Sequence, residues 1–373
     1  NTCRFLWKQV KFPLATDASN AAVQVLKEGE VQGSDVAAHS AGVLDIRTNI
    51  LADTDALYLT AIDKYGHELW RWTFPVNKLN QQTEQLSPLS SRPTYTETEN
   101  DLTVKANKRT FIFSKKDGQL KGVSVDNRKI SFANGPRFIG ARRADRSLDQ
   151  FYNHDDEKAK EKDRTYSEFP DAAVFTKLDV KEDGGNLVVT ANYKLGNLDK
   201  AQWTINPSGD LALDYTYNFS GVVDLMGIRF DYPEDQVISK RWLGAGPYRV
   251  WQNRIHGTQY DVWENDYNDP IPGETFTYPE FKGYFGDVSW MNIQTKEGTI
   301  SLTNEAPDAY IGVYQPRDGR DRLLYTLPES GISVLNVIPP VRNKVNSTDL
   351  CGPSSQPKWV NGPQTGRVIF RFM

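Results

Sequence analysis

Helical periodicity is nearly missing from this chain of 373 residues. Without apolar residues recurring every three or four positions, no alternation of strands and helices exists from which a (β/α)₈ barrel or a doubly wound sheet is built. Cysteine is scarce too: Cys3 and Cys351 stand near opposite ends. No disulfide framework or CxxC motif results, and two free thiols are expected. No apolar run is long enough to span a bilayer. Net charge is −4, so the basic field that gathers nucleic acid or an anionic membrane is lacking. The four histidines, His39, His67, His154 and His256, show no spacing at which two imidazoles share a metal. There is no GxSxG elbow, and Gly244-Ala245-Gly246-Pro247 makes a poor phosphate cradle because proline removes a backbone donor. Neither metal nor cofactor is expected. The chain opens on Asn1 rather than Met, and a processed end or an excised fragment is expected.

What is present is apolar/polar alternation. "GVLDIRTNI", "ALYLTAIDKYGHELWRWTF", "RTFIFSKKDGQLKGVSVDN", "NLVVTANYKL", "LALDYTYNF", "GTISLTNE" and "AYIGVYQ" read as strands. Lys116-Asp117-Gly118, Glu182-Asp183-Gly184-Gly185 and Pro207-Ser208-Gly209-Asp210 read as hairpin turns. A solvated loop or short helix is expected over 153–165, and a short helix, cut by its Pro pair, in "PESGISVLNVIPP". The polar, Pro- and Ser-bearing segment 78–99 reads as a linker. It divides a small β unit, 1–77, from a large antiparallel β-sandwich, 100–373.

Aromatics are abundant, with 9 Trp and 17 Tyr, as is common in all-β and carbohydrate-handling proteins. "RWLGAGPYRVWQNRIHG", residues 241–257, crowds two Trp, a Tyr, three Arg and a His around two glycines. Guanidinium forks can satisfy carbonyls or carboxylates while the indoles pack the segment onto a sandwich. Trp263-Glu264-Asn265-Asp266-Tyr267 and Trp359 lie among Gly, Pro, Asn and Asp, where an indole either plugs a core or offers a sugar a stacking face. Asn304-Glu305 ends an expected strand. A glycosidase acid/base would need a second carboxylate about 5 Å away on a barrel this chain lacks, so an exposed turn is expected there.

The order of these motifs resembles the C-terminal region of family 2 β-galactosidases. "TFIFSKKDGQLKGVSVDNRKISFANGPRFIGARRADRS" is similar to the opening of that family's large β-domain, and "RWLGAGPYRVWQNR" to its Gly-Pro turn. "YPEFKGYFGDVSWMNI" is similar to the following loop and strand, and "LCGPSSQPKW…GRVIFRFM" to the closing Trp-bearing loop and last strand. Residues 1–77 resemble the preceding immunoglobulin-like domain without its first strand. The resemblance implies a partial immunoglobulin-like sandwich followed by a galactose-mutarotase-like β-supersandwich. It also implies a part that is itself non-catalytic and that shapes the sugar site of an upstream barrel bearing the catalytic glutamates. Trp359 matches the aromatic wall of the sugar pocket, with Trp251, Arg254 and Glu280 as further candidate sugar contacts. The partners implied are a carbohydrate substrate and the upstream domain, in the periplasm or outside the cell. The segment Arg143-Ala144-Asp145-Arg146 and the pair Glu280-Phe281 depart from the family pattern, which leaves open a related hydrolase acting on another glycan. A stand-alone carbohydrate-binding module and an aldose epimerase using His256 are the alternatives.

Overall fold

The computed structural model describes residues 3–77, 91–143, 166–266, 283–306, 308–313, 328, 330–340 and 352–373. Four antiparallel strands come first: β1 (Arg4–Lys11), β2 (Gln24–Gln32), β3 (Ala56–Ile62) and β4 (Glu68–Pro75), in the order β2-β1-β3-β4. Next, β5 (Thr94–Glu97), β6 (Asp101–Ala106), β7 (Arg109–Ser114), β8 (Leu120–Val125), β9 (Arg128–Ile130), β10 (Ala133–Arg143) and β11 (Tyr166–Glu168) open a ten-stranded sheet. A nine-stranded sheet starts with β12 (Val174–Asp183), β13 (Asn186–Lys194), β14 (Leu198–Ile205) and β15 (Leu211–Val223). The chain crosses back for β16 (Leu225–Asp231), then gives the second sheet β17 (Val237–Gly246), β18 (Gln259–Asp266), β19 (Trp290–Thr295) and β20 (Gly298–Asn304). β21 (Tyr310–Gly312) and β22 (Ile332–Val337) finish the first sheet, and the long β23 (Lys358–Phe372) lies at the heart of the second, between β15 and β20.

The architecture is all-β, with no α-helix among the described residues. Alternation explains it: in β15 the side chains of Leu211, Leu213, Tyr215 and Tyr217 turn inward, and those of Asp214, Thr216 and Asn218 turn out. The inward sets of both large sheets meet in one core. Phe132 stacks on Phe230 at 4.6 Å between centroids, and Trp203 meets Phe230 at 6.0 Å and Phe113 at 6.0 Å. The three expected hairpin turns are present, with Gly118, Gly184, Gly185 and Gly209 all at positive φ.

Several local expectations are corrected. Residues 42–50 form no strand; Gln9 instead binds this run through the Thr48 hydroxyl and the Asn49 carbonyl. "GISVLNV" supplies strand β22, between β21 and β16, rather than a helix, because its apolar residues are buried on both faces of the sheet. The large unit begins earlier than expected, since β5 starts at Thr94, inside the stretch read as linker. Residues 153–165 lie outside the described residues.

Residues 3–77 supply one sheet, not two, among the described residues. Trp70, Trp72 and Phe74 stay exposed on one face of β4. Val10, Ala56 and Tyr58 on the other face, with Phe12 and Ala15 beyond β1, pack on Leu243, Tyr260 and Trp290, on the outer surface of the nine-stranded sheet. The Trp290 indole donates to the Pro13 carbonyl at 3.1 Å, and Asn292 to that of Ala15 at 2.8 Å. No helix among the described residues is long and apolar enough to cross a membrane.

Candidate functional site

β17 and β18 pair in register from Ser239 with Asp266 to Gly246 with Gln259, so 247–258 is the connection at the end of that ladder. The two glycines before it answer to close approach rather than to a turn. A Cβ on Gly246 would sit 2.5 Å from the Trp263 ring, and one on Gly244 would sit 3.0 Å from the Gly286 carbonyl. Trp242 is buried against Phe285, with centroids 4.9 Å apart, and its indole N–H reaches the Ala245 carbonyl at 3.0 Å. Trp263, expected in a loop, lies in β18 and donates to the Gln259 carbonyl at 3.0 Å.

Beyond Gly246 the chain leaves the nine-stranded sheet and crosses the outer face of the ten-stranded one. There Val250 and Trp251 pack with Ile139, Leu225, Tyr284 and Leu335. Val250 and Tyr284 exchange backbone hydrogen bonds of 2.8 and 2.9 Å. A tight turn follows, closed by the Arg254 N–H on the Trp251 carbonyl at 2.8 Å. Two amides then tie this turn to the segment that leads into β23. Gln252 Nε2 donates to the carbonyls of Ser354 (3.0 Å) and Gln356 (2.7 Å), and Asn253 Nδ2 to the Ser355 hydroxyl (3.0 Å). Trp359, the second residue of β23, pairs with Val222 and is 71% exposed. At the adjoining corner between β15 and β16, the carboxylate-bearing Asp224 is buried, its N–H on the Ala141 carbonyl at 2.9 Å.

The structure thus joins the two segments that carry Arg254 and Trp359, and both residues face solvent. Trp251 is corrected as a sugar contact. It is 2% exposed and meets Tyr284 edge-on at 5.6 Å, so its ring supports the turn and presents no face to a ligand. Glu280 lies outside the described residues, as does Cys351. Sequence reasoning missed Gln252 and Asn253; the signal was two adjacent amides inside an otherwise aromatic and basic run. An exposed indole offers a flat apolar face to the C–H surface of a pyranose and one N–H donor, and a guanidinium offers several donors to hydroxyl oxygens.

Elsewhere, Glu305 is committed to structure: Arg367 Nε lies 2.9 Å from its carboxylate, and the same guanidinium reaches Asp214 at 2.6 Å. An arginine between two carboxylates makes an ion-pair network, not an acid and a base. No three of His, Cys, Asp and Glu converge among the described residues.

Among solved structures, a galactose 1-epimerase from Lactobacillus acidophilus NCFM is similar at 10% identity and TM-score 0.43, over 76% of this chain and 99% of that one. An aldose epimerase homologue from C. elegans is similar at 8% identity and TM-score 0.33, over 75% and 99%. No curated protein matches. The model of the beta galactosidase small chain family matches residues 105–338, more than half of the chain, and the chain belongs to that family.

Proposed function

We propose that the chain works in carbohydrate hydrolysis as the non-catalytic part of a β-galactosidase-like, family 2 glycoside hydrolase, shaping the sugar site of a catalytic barrel carried upstream in the same polypeptide. The observation behind this reading is Trp359, a 71% exposed indole beside a segment pinned by Gln252 and Asn253. An exposed, rigidly seated aromatic is the kind of surface that pyranose rings stack on. Arg254, on the turn tied to that segment, is the second sugar contact, with Glu280 the third. Hydrolysis itself needs two carboxyl groups about 5 to 9 Å apart across a glycosidic bond, and Glu305 is held in its ion pair. A periplasmic or extracellular site fits a glycan-degrading enzyme.

The test is enzymatic. The 373-residue chain should turn over no aryl glycoside, whereas the polypeptide carrying the barrel should, with a lower kcat/KM when Trp359 is replaced. Turnover by the chain alone that Glu305→Gln abolishes refutes the reading. Sugar binding with no barrel in the reading frame makes it a stand-alone carbohydrate-binding module. Galactose mutarotation accelerated by the chain and lost in His256→Asn makes it an epimerase.

A further inference from the structure

The small N-terminal sheet grips the base of the connection that carries Arg254. From β4, Arg71 Nε donates to Gln259 Oε1 at 3.2 Å and Nη2 to Asp261 Oδ2 at 2.5 Å. From β3, the Tyr58 hydroxyl donates to Asp261 Oδ1 at 2.6 Å, and the Arg71 guanidinium lies over the Tyr58 ring, 4.7 Å from its centroid. Gln259 is the register partner of Gly246, so these bonds land where the ladder ends and 247–258 begins. On the neighbouring strand, Arg241 donates to the carbonyls of Ala18 (3.2 Å) and Ala21. Both strands of the ladder are therefore held from the same side.

These contacts are not exposed ion pairs of negligible strength. Asp261 is buried, and its carboxylate is met by Tyr58, Arg71 and its neighbour's N–H, that of Val262, at 2.8 Å. Burial first, then the Asp261 charge, pushes the Tyr58 phenol well above its ordinary pKa, so the hydroxyl remains a donor. The rigid fork of Arg71 serves two acceptors on alternate residues of one strand, which a lysine, as a point charge, does not reproduce.

We propose that Arg71 is a positioning residue for the candidate sugar site: by clamping Gln259 and Asp261 it fixes the take-off of 247–258. That connection, through Gln252 and Asn253, seats the segment leading to Trp359. The inference rests on the sugar-site reading for its functional meaning, but its mechanical content stands alone.

Hydrogen exchange on the full chain tests it, comparing wild type with Arg71→Ala, Arg71→Lys and Tyr58→Phe. The amides of Val250, Gln252 and Arg254 are hydrogen-bonded. They should exchange about tenfold faster in Arg71→Ala and by a smaller factor in Arg71→Lys, with β13 to β15 unchanged. Faster exchange confined to β3 and β4, with 248–257 unaltered, overturns the proposal and leaves Arg71 as interface glue. If Arg71→Ala does not fold, the same comparison is read from Arg71→Lys and Tyr58→Phe. A parallel titration of the barrel-bearing polypeptide with methyl β-galactoside separates the two readings. Loosened amides together with a wild type that binds no galactoside keep the clamp and remove the sugar site.

Discussion

Replacing Trp359 and Trp251 by alanine, one at a time, separates recognition from support, because burial assigns the two indoles opposite costs. Trp359 is 71% exposed, so of the ~250 Å² a tryptophan can bury it hides only about 70 Å². At ~25 cal/mol per Å² that area contributes less than about 2 kcal/mol, part of which the alanine Cβ retains. For a domain this large, a loss of ~1 kcal/mol moves Tm by roughly 2–4 °C. Trp251 is 2% exposed and sits in a closed cluster. Its truncation should cost about 3–5 kcal/mol through lost burial and the cavity left behind, a Tm loss of roughly 6–20 °C. Kinetics should run the other way. In the enzyme with its barrel, Trp359→Ala should lower kcat/KM by roughly 5- to 150-fold, equivalent to 1–3 kcal/mol of lost sugar contact. The assay pairs calorimetry with kcat/KM on an aryl β-galactoside. A Tm loss in Trp359→Ala as large as that of Trp251→Ala, with unchanged kcat/KM, refutes the assignment of Trp359.

Removing the amides of Gln252 and Asn253 together, each as alanine, should free the two tied segments. Sugar affinity should fall and Tm should drop by roughly 6–12 °C, three hydrogen bonds at about 1 kcal/mol each; unaltered affinity argues against the tie. Gly246→Ala should destabilise by about 1–3 kcal/mol, because the new Cβ lies 2.5 Å from the Trp263 ring; urea unfolding measures it, and a neutral result means that ring gives way. Asp210 provides a pH prediction. Burial raises its pKa, but Arg371, with bonds of 2.7 and 3.0 Å, Asn206 and Arg109 outweigh burial and hold it below the ordinary carboxylate range. Its stabilisation is thus present above the unfolded pKa of ~4 and is lost as pH falls through the lower folded value. Arg371→Gln should cost about 3 kcal/mol near neutrality, by leaving a largely buried carboxylate unmatched, and less in acid. A cost independent of pH contradicts the argument. Glu305→Gln should leave glycosidase activity of the barrel-bearing protein within about twofold, since its carboxylate serves Arg367 rather than substrate.

Strand identity was legible in residue order because it is a local property. Alternation in "LALDYTYNF" and the glycines after Asp117 and Asp183 act over neighbouring residues, and those strands and hairpins stand where they were read. The same reasoning failed at 42–50, where alternation found no partner strand, and at "GISVLNV", where burial on both faces removes alternation altogether. Site residues were only half legible. Residue type marked Trp251 and Trp359 alike as aromatic anchors, and nothing local separates them. Their difference is set by what crosses over each one: the outer face of the ten-stranded sheet and Tyr284 close on Trp251, while no packed layer among the described residues covers Trp359. Likewise Gly244 and Gly246 read as a turn, yet they are small because Gly286 and Trp263 come up against them. Arg71 and Asp261 stand 190 residues apart in sequence and touch at 2.5 Å. Residue order alone determined where the alternating segments such as "LALDYTYNF" extend and where their hairpins reverse, because φ/ψ preference and side-chain alternation are short-ranged. Which indole meets solvent, and which arginine holds the loop, only tertiary packing decided, because burial depends on what the rest of the chain places on top.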